Sequence, residues 1–297
     1  MSDLFPPFAP DGSEEPRRRG FQPVPLRVLV PNVITLFALC LGLSAIRLGI
    51  EGKLDTAVIA IVIAAILDGV DGRVARFLKG TSRFGAELDS LADFVNFGVA
   101  PALLLYTFTL DELRSIGWIV ALVYTVAAAL RLARFNVSLD DPARPEWKKD
   151  YFVGLAAPAG AISALLPVYL HLLGLPTQHM APVIMVYLLA IAFLMVSNLP
   201  TFAGKTFGRR IPREWVLPLF VACVLVVALL ASFTFEVLAV LTIAYLAYFP
   251  FGVAAYRARE RREAAVASQV ERSAPSERTP PADRPGGAGD AAEPRVD

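Results

Sequence analysis

The chain has 297 residues, of which 56% are hydrophobic and 19% charged, a balance that leaves too little polar surface to coat a water-soluble globule. The net charge of +1 provides no bulk field for a nucleic acid partner. Cys40 and Cys223 lie far apart inside apolar blocks, without metal-ligand or redox spacing, so both are expected as packing residues.

In chain order, residues 1–26 are polar and proline-rich, include Arg17-Arg18-Arg19, and predict a disordered tail. The stretch from Phe21 to Arg27 suits the headgroup region. No cleavable signal peptide is expected, because the first apolar run is itself long enough to span. Membrane-spanning helices are predicted near Val30–Ile50, Thr56–Arg76, Ala92–Leu110 and Ile116–Phe135. Four more follow near Phe152–Leu173, Pro182–Leu199, Val216–Phe233 and Val237–Tyr256. Residues 258–297 turn basic and then rich in Pro, Ala and Gly, which predicts a second disordered tail and leaves 27–257 as the membrane domain.

Charge sets the expected orientation. Lys and Arg gather before the first span, then after the second (Arg73, Arg76, Lys79, Arg83) and the fourth (Arg144, Lys148, Lys149). They gather again after the sixth (Lys205, Arg209, Arg210, Arg213) and the eighth (Arg257, Arg259, Arg261, Arg262). The intervening connections carry only Lys53 and Arg114. By the positive-inside rule, an all-α, polytopic bundle of about eight spans has both termini in the cytoplasm.

The second span closes, and the third opens, with acids that a plain anchor would not tolerate. An ionised carboxylate in the hydrocarbon costs on the order of 2.5–3.5 kcal/mol. Asp68 and Asp71 are three residues apart and Asp89 and Asp93 four apart, so each pair shares a helix face. A short turn through Lys79 and Gly80 makes the two helices antiparallel neighbours. Four clustered carboxylates without a nearby His or Cys suit hard divalent cations, Mg2+ or Mn2+, and a pair of such ions suits phosphoryl chemistry. Gly72, Ala75 and Gly85 keep the adjoining surface low enough for a flat ligand to approach the backbone, and Arg76 is placed to meet a diphosphate.

These residues resemble a known signature. Asp68-x-x-Asp71-Gly72-x-x-Ala75-Arg76, eight further residues, then Gly85-x-x-x-Asp89-x-x-x-Asp93 resembles the pattern of the CDP-alcohol phosphotransferases at every position. The resemblance implies an all-helical membrane enzyme, usually a homodimer, that displaces CMP from a CDP-linked donor; the charge pattern is what places the acids at the cytoplasmic side of the inner membrane. It implies that Asp68, Asp71 and Asp89 are the main ligands of two divalent cations. Asp93 would be the general base and a further ligand. It implies that Asp68, Asp71, Gly72, Ala75, Arg76 and Gly85 receive the CDP-lipid.

Beyond the signature, Asp89-Ser-Leu-Ala-Asp-Phe-Val-Asn-Phe-Gly-Val-Ala-Pro101, Leu130-Arg-Leu-Ala-Arg-Phe-Asn-Val137 and Phe193-Leu-Met-Val-Ser197 resemble membrane-embedded bacterial phosphatidylserine synthases. Phe152-Val-Gly-Leu-Ala-Ala-Pro158 does so too, with Ala156 where a proline is usual. CDP-diacylglycerol and L-serine are the substrates this likeness implies. Asn96, Arg131 and Arg134 are then candidates for the acceptor, since Arg pairs bidentately with carboxylates and phosphates. The bland alternatives are a helix–helix hydrogen bond for Asn96 and charge anchoring for the arginines. Glycerol 3-phosphate or inositol phosphate is the nearest rival acceptor, and a cation transporter the rival from another class.

Overall fold

The structure, a computed structural model, describes residues 26–80, 82–139, 151–197, 200–202 and 213–249. The chain divides into two compact units, Met1–Val253 and Ala254–Asp297, and every described residue belongs to the first. The expected tails, apart from Leu26, and most of the basic connections after the fourth and sixth spans lie outside the described residues.

Among the described residues, eight helices follow the predicted segments in order. They are α1 (Leu26–Ile50), α2 (Leu54–Phe77), α3 (Arg83–Phe108) and α4 (Ser115–Leu139). Then come α5 (Ala157–Leu172), α6 (Ala181–Val196), α7 (Arg213–Ser232) and α8 (Thr234–Phe249). One short antiparallel pairing departs from all-α: β1 (Tyr151–Val153) against β2 (Pro200–Phe202), with Phe152 opposite Thr201. Large apolar side chains such as Phe37, Trp118, Val126 and Phe193 point outward, which suits lipid rather than water as the surrounding solvent.

Length and composition qualify fewer helices as spans than expected. Arg27–Ile50, Arg83–Phe108 and Ser115–Ser138 are long and apolar enough, and the bent α7–α8 pair, turning through 118°, brings the number to at most four among the described residues. At 24 residues α2 is long enough, but Asp55, Asp68, Asp71 and Arg73 lower its apolar character. At 16 residues, α5 and α6 are each short.

Two helix starts differ from expectation for physical reasons. The third helix begins at Arg83 rather than Ala92, because the Ser82 hydroxyl caps it by accepting from the Gly85 N–H at 3.0 Å. The fifth begins at Ala157 rather than Phe152; Pro158 sits in its first turn, and Gly154 before it takes a φ of +74°. His171 lies at the end of α5 with its ring edge-on to Phe108 at 5.1 Å. Cys40 faces outward on α1 instead of into a core.

Prolines recur inside the packed helices, and each frees the carbonyl four residues back. Pro101 cannot return a hydrogen bond to Phe97, and the Tyr124 hydroxyl from α4 donates to that oxygen at 3.0 Å. Pro167 cannot reach Ser163, and Tyr187 from α6 donates there at 2.6 Å. Pro31 leaves the Arg27 carbonyl, against which Gly80 packs so closely that a β-carbon would collide with it. Both tyrosine bonds are the internal repair that a helix in hydrocarbon requires.

The turn between α2 and α3 positions the site. Lys79 has a φ of +49°, its N–H donates to Arg76 O at 3.2 Å, and the Gly80 N–H donates to Ala75 O at 2.9 Å. This is a Schellman stop. Ser82 then starts α3, and the chain's reversal brings the Asp89 carboxylate to those of Asp68 and Asp71.

Candidate metal and nucleotide site

Asp68 and Asp71 come from the last turns of α2 and Asp89 from the second turn of α3. One carboxylate oxygen of each lies within 4.8 Å of those of the other two. Asp71 is the buried member of this trio, and its Oδ2 accepts a hydrogen bond of 2.6 Å from the Thr35 hydroxyl on α1. Asp93, one turn beyond Asp89, is close enough to Asp68 for the two carboxyls to interact electrostatically. All four acids are thus brought together. Like charges at such separations need a cation or a proton between them. The donor set is wholly oxygen, which fits Mg2+ or Mn2+ rather than zinc.

A positive charge approaches from α4. The Arg131 guanidinium is within electrostatic reach of Asp68 and Asp93 and of Tyr245 on α8. It is 8% exposed and stacks over the Phe135 ring at 5.2 Å, an arrangement that holds a cation away from water.

Beside the acids opens a cleft of about 150 Å³, lined by Asp71, Gly72, Ala75, Gly85 and Asp89 together with Pro31, Asn32 and Thr35. A β-carbon at Gly72 would meet nothing within 4 Å, whereas one at Gly85 would lie 2.8 Å from Asn32 Oδ1. The small residues singled out in the sequence are therefore the floor and one wall of a real groove. Arg76 lies on the exposed rim, its Nε donating to Gly72 O at 3.0 Å.

The α1 wall went unrecognised in the sequence. Its only signal is polarity inside an apolar block: Asn32 and Thr35 sit one turn apart, directly after Pro31.

The acceptor candidates separate in space. Arg131 is carried to the aspartates. Arg134 donates from Nη1 to Val196 O at 2.7 Å and ties α4 to the end of α6. Asn96 is 1% exposed, packs against Gly42 of α1, and lines no part of the cleft. It lies in a wide π-helical segment, Phe94–Val99, interrupting α3 immediately after Asp93, a feature common at functional sites.

Residues 28–197 match the family model for CDP-alcohol phosphatidyltransferases. The chain belongs to this family. The CDP-alcohol phosphatidyltransferase match spans nearly all of α1 and every helix from α2 to α6, including all four aspartates. A second model, CDP-alcohol phosphatidyltransferase 2, matches residues 214–250, the α7–α8 pair. The CDP-diacylglycerol–serine O-phosphatidyltransferase of Mycobacterium leprae is 49% identical over 149 residues, covering 50% of this chain and 49% of that protein. The Helicobacter pylori enzyme of the same name is 34% identical over 220 residues, 71% of this chain and 85% of its own length. An archaetidylserine synthase of Methanothermobacter thermautotrophicus is 32% identical over 177 residues, 58% of this chain and 69% of its own. The chain spans about half the length of the mycobacterial relatives it matches.

Proposed function

We propose that this chain transfers the phosphatidyl group of CDP-diacylglycerol to L-serine, yielding phosphatidylserine and CMP. The observation that carries the reading is the meeting of three carboxylates with a cleft floored by Gly72 and Ala75. The choice of serine is supported by relatives whose names specify a serine acceptor.

Asp68, Asp71, Asp89 and Asp93 would hold two divalent cations, Mg2+ or Mn2+, whose charge, when bound, stabilises the phosphates of the donor. The chain's own residues do the rest. Gly72, Ala75 and Gly85 admit the nucleotide close to the backbone, and Arg76 meets its phosphates from the rim. The serine oxygen bonds to phosphorus as the bond to CMP breaks, CMP leaving with the bridging oxygen. Asp93 accepts the hydroxyl proton, because an alcohol is a poor nucleophile at neutral pH. Arg131 is the acceptor-side cation, positioned for the serine carboxylate. Arg134 and Asn96 shape that side through α6 and α1.

The proposed setting is the cytoplasmic face of the inner membrane. The eight helices would act as eight spans with both termini inside, supported by the alternation of Lys and Arg between connections. At about 1.5 Å per residue α5 and α6 fall short of a bilayer core of roughly 30 Å, so thinning or flanking residues must complete them. The family resemblance supports a homodimer.

The deciding measurement is CMP release from CDP-diacylglycerol by purified protein with Mg2+ or Mn2+, with and without serine. Release should depend on serine and stop on chelation. Asp93→Asn should keep binding the CDP-lipid while turnover drops by about 10²–10⁴. Faster release with glycerol 3-phosphate or inositol phosphate would replace serine as acceptor, and normal turnover by Asp93→Asn would reassign the base.

A further inference from the structure

Thr35 stands on α1, well outside the run of residues that carries the aspartates. It is 5% exposed. Its hydroxyl has two acceptors within reach, Asp71 Oδ2 at 2.6 Å and Pro31 O at 3.1 Å. One proton cannot serve both fully, and the nearer, charged oxygen takes it. The branched β-carbon of threonine restricts its χ1, which limits the directions this hydroxyl can take. Thr35 also lines the cleft that Asp71 faces.

We propose that Thr35 is a positioning residue for the cation site. It locks the Asp71 carboxylate toward Asp68 and Asp89 before any cation arrives, so that the ion need not order this ligand itself. The proposal rests on the reading of these acids as a cation site. Partners that orient a metal ligand typically contribute 10- to 100-fold in metal affinity.

The test uses the purified full chain in detergent, titrated with Mn2+ alone while free Mn2+ is followed by electron paramagnetic resonance. Thr35→Val keeps the shape and removes the donor, and it should weaken Mn2+ binding about 10- to 100-fold. Thr35→Ser keeps the donor and should stay within about threefold of the parent on the same scale. In the serine-dependent assay, Thr35→Val should raise the Mn2+ needed for half-activation while kcat at saturating Mn2+ stays near the parent value. If Thr35→Val fails to fold, Thr35→Ala against Thr35→Ser supplies the same contrast.

A donor-free variant that binds Mn2+ as tightly as the parent overturns the proposal, including when its metal-free melting temperature falls. That result would make Thr35 a packing residue. A parent protein that binds no Mn2+ is a different failure, because it removes the cation site itself.

Discussion

Gly72 shows how one position can serve function against stability. It lies within α2, where glycine costs about 1 kcal/mol relative to alanine, and a β-carbon there would meet no atom within 4 Å. Gly72→Ala should therefore leave the melting temperature unchanged or raise it, yet reduce the affinity for CDP-lipid because the methyl group enters the cleft. Thermal unfolding combined with a CDP-diacylglycerol titration checks both halves. Unchanged lipid affinity would mean that the cleft is not the nucleotide site. The acids were legible at this scale because a carboxylate in an apolar block is expensive and demands an explanation. Thr35 was not, because its hydroxyl can always bond back to its own helix. Only the packing of α1 on α2 shows that Asp71 accepts its hydrogen bond.

At the scale of elements, helix identity was written in the hydrophobic blocks, while starts and breaks were not. Ser82 and Pro158 set two helix starts by capping and by fixed φ. The prolines matter more than their helix-breaking reputation suggests, because hydroxyls from neighbouring helices replace the bonds they remove. Tyr124→Phe should cost about 1 kcal/mol by orphaning the Phe97 carbonyl. In a Pro101→Ala background, where residue 101 regains an N–H, the same change should cost clearly less. Denaturation of the four proteins in detergent measures the coupling, and equal costs in both backgrounds would show that Tyr124 does not compensate for Pro101. Nothing in the sequence paired Tyr124 with Phe97, which lie 27 residues apart.

At the scale of the molecule, the orientation derived from charge predicts opposite accessibility for two nearby turns. In a background with Cys40 and Cys223 replaced by serine, Lys53→Cys should react with an impermeant maleimide from outside intact cells. Arg83→Cys should react only after permeabilisation. The reverse pattern would invert the topology, and labelling of both from one side would deny that α2 crosses. The count of spans was the weaker part of the sequence reading. Hydrophobicity ranks a segment by its own residues, whereas α2 carries Asp68 and Asp71 away from open solvent on a helix packed along α1, and short helices such as α5 and α6 depend on their neighbours.

The sequence by itself determined a helical membrane protein, a family, and the acids and small residues of one site. These follow from local quantities: the cost of burying charge, the spacing along a helix, and the room left by a missing side chain. The tertiary structure alone decided that α1 forms the other wall of the cleft, that the Thr35 hydroxyl donates to Asp71, and that Arg131 rather than Arg134 reaches the acids. Those outcomes depend on how helices rotate and approach one another, and that is set by the packing of many side chains at once rather than by any single stretch of chain.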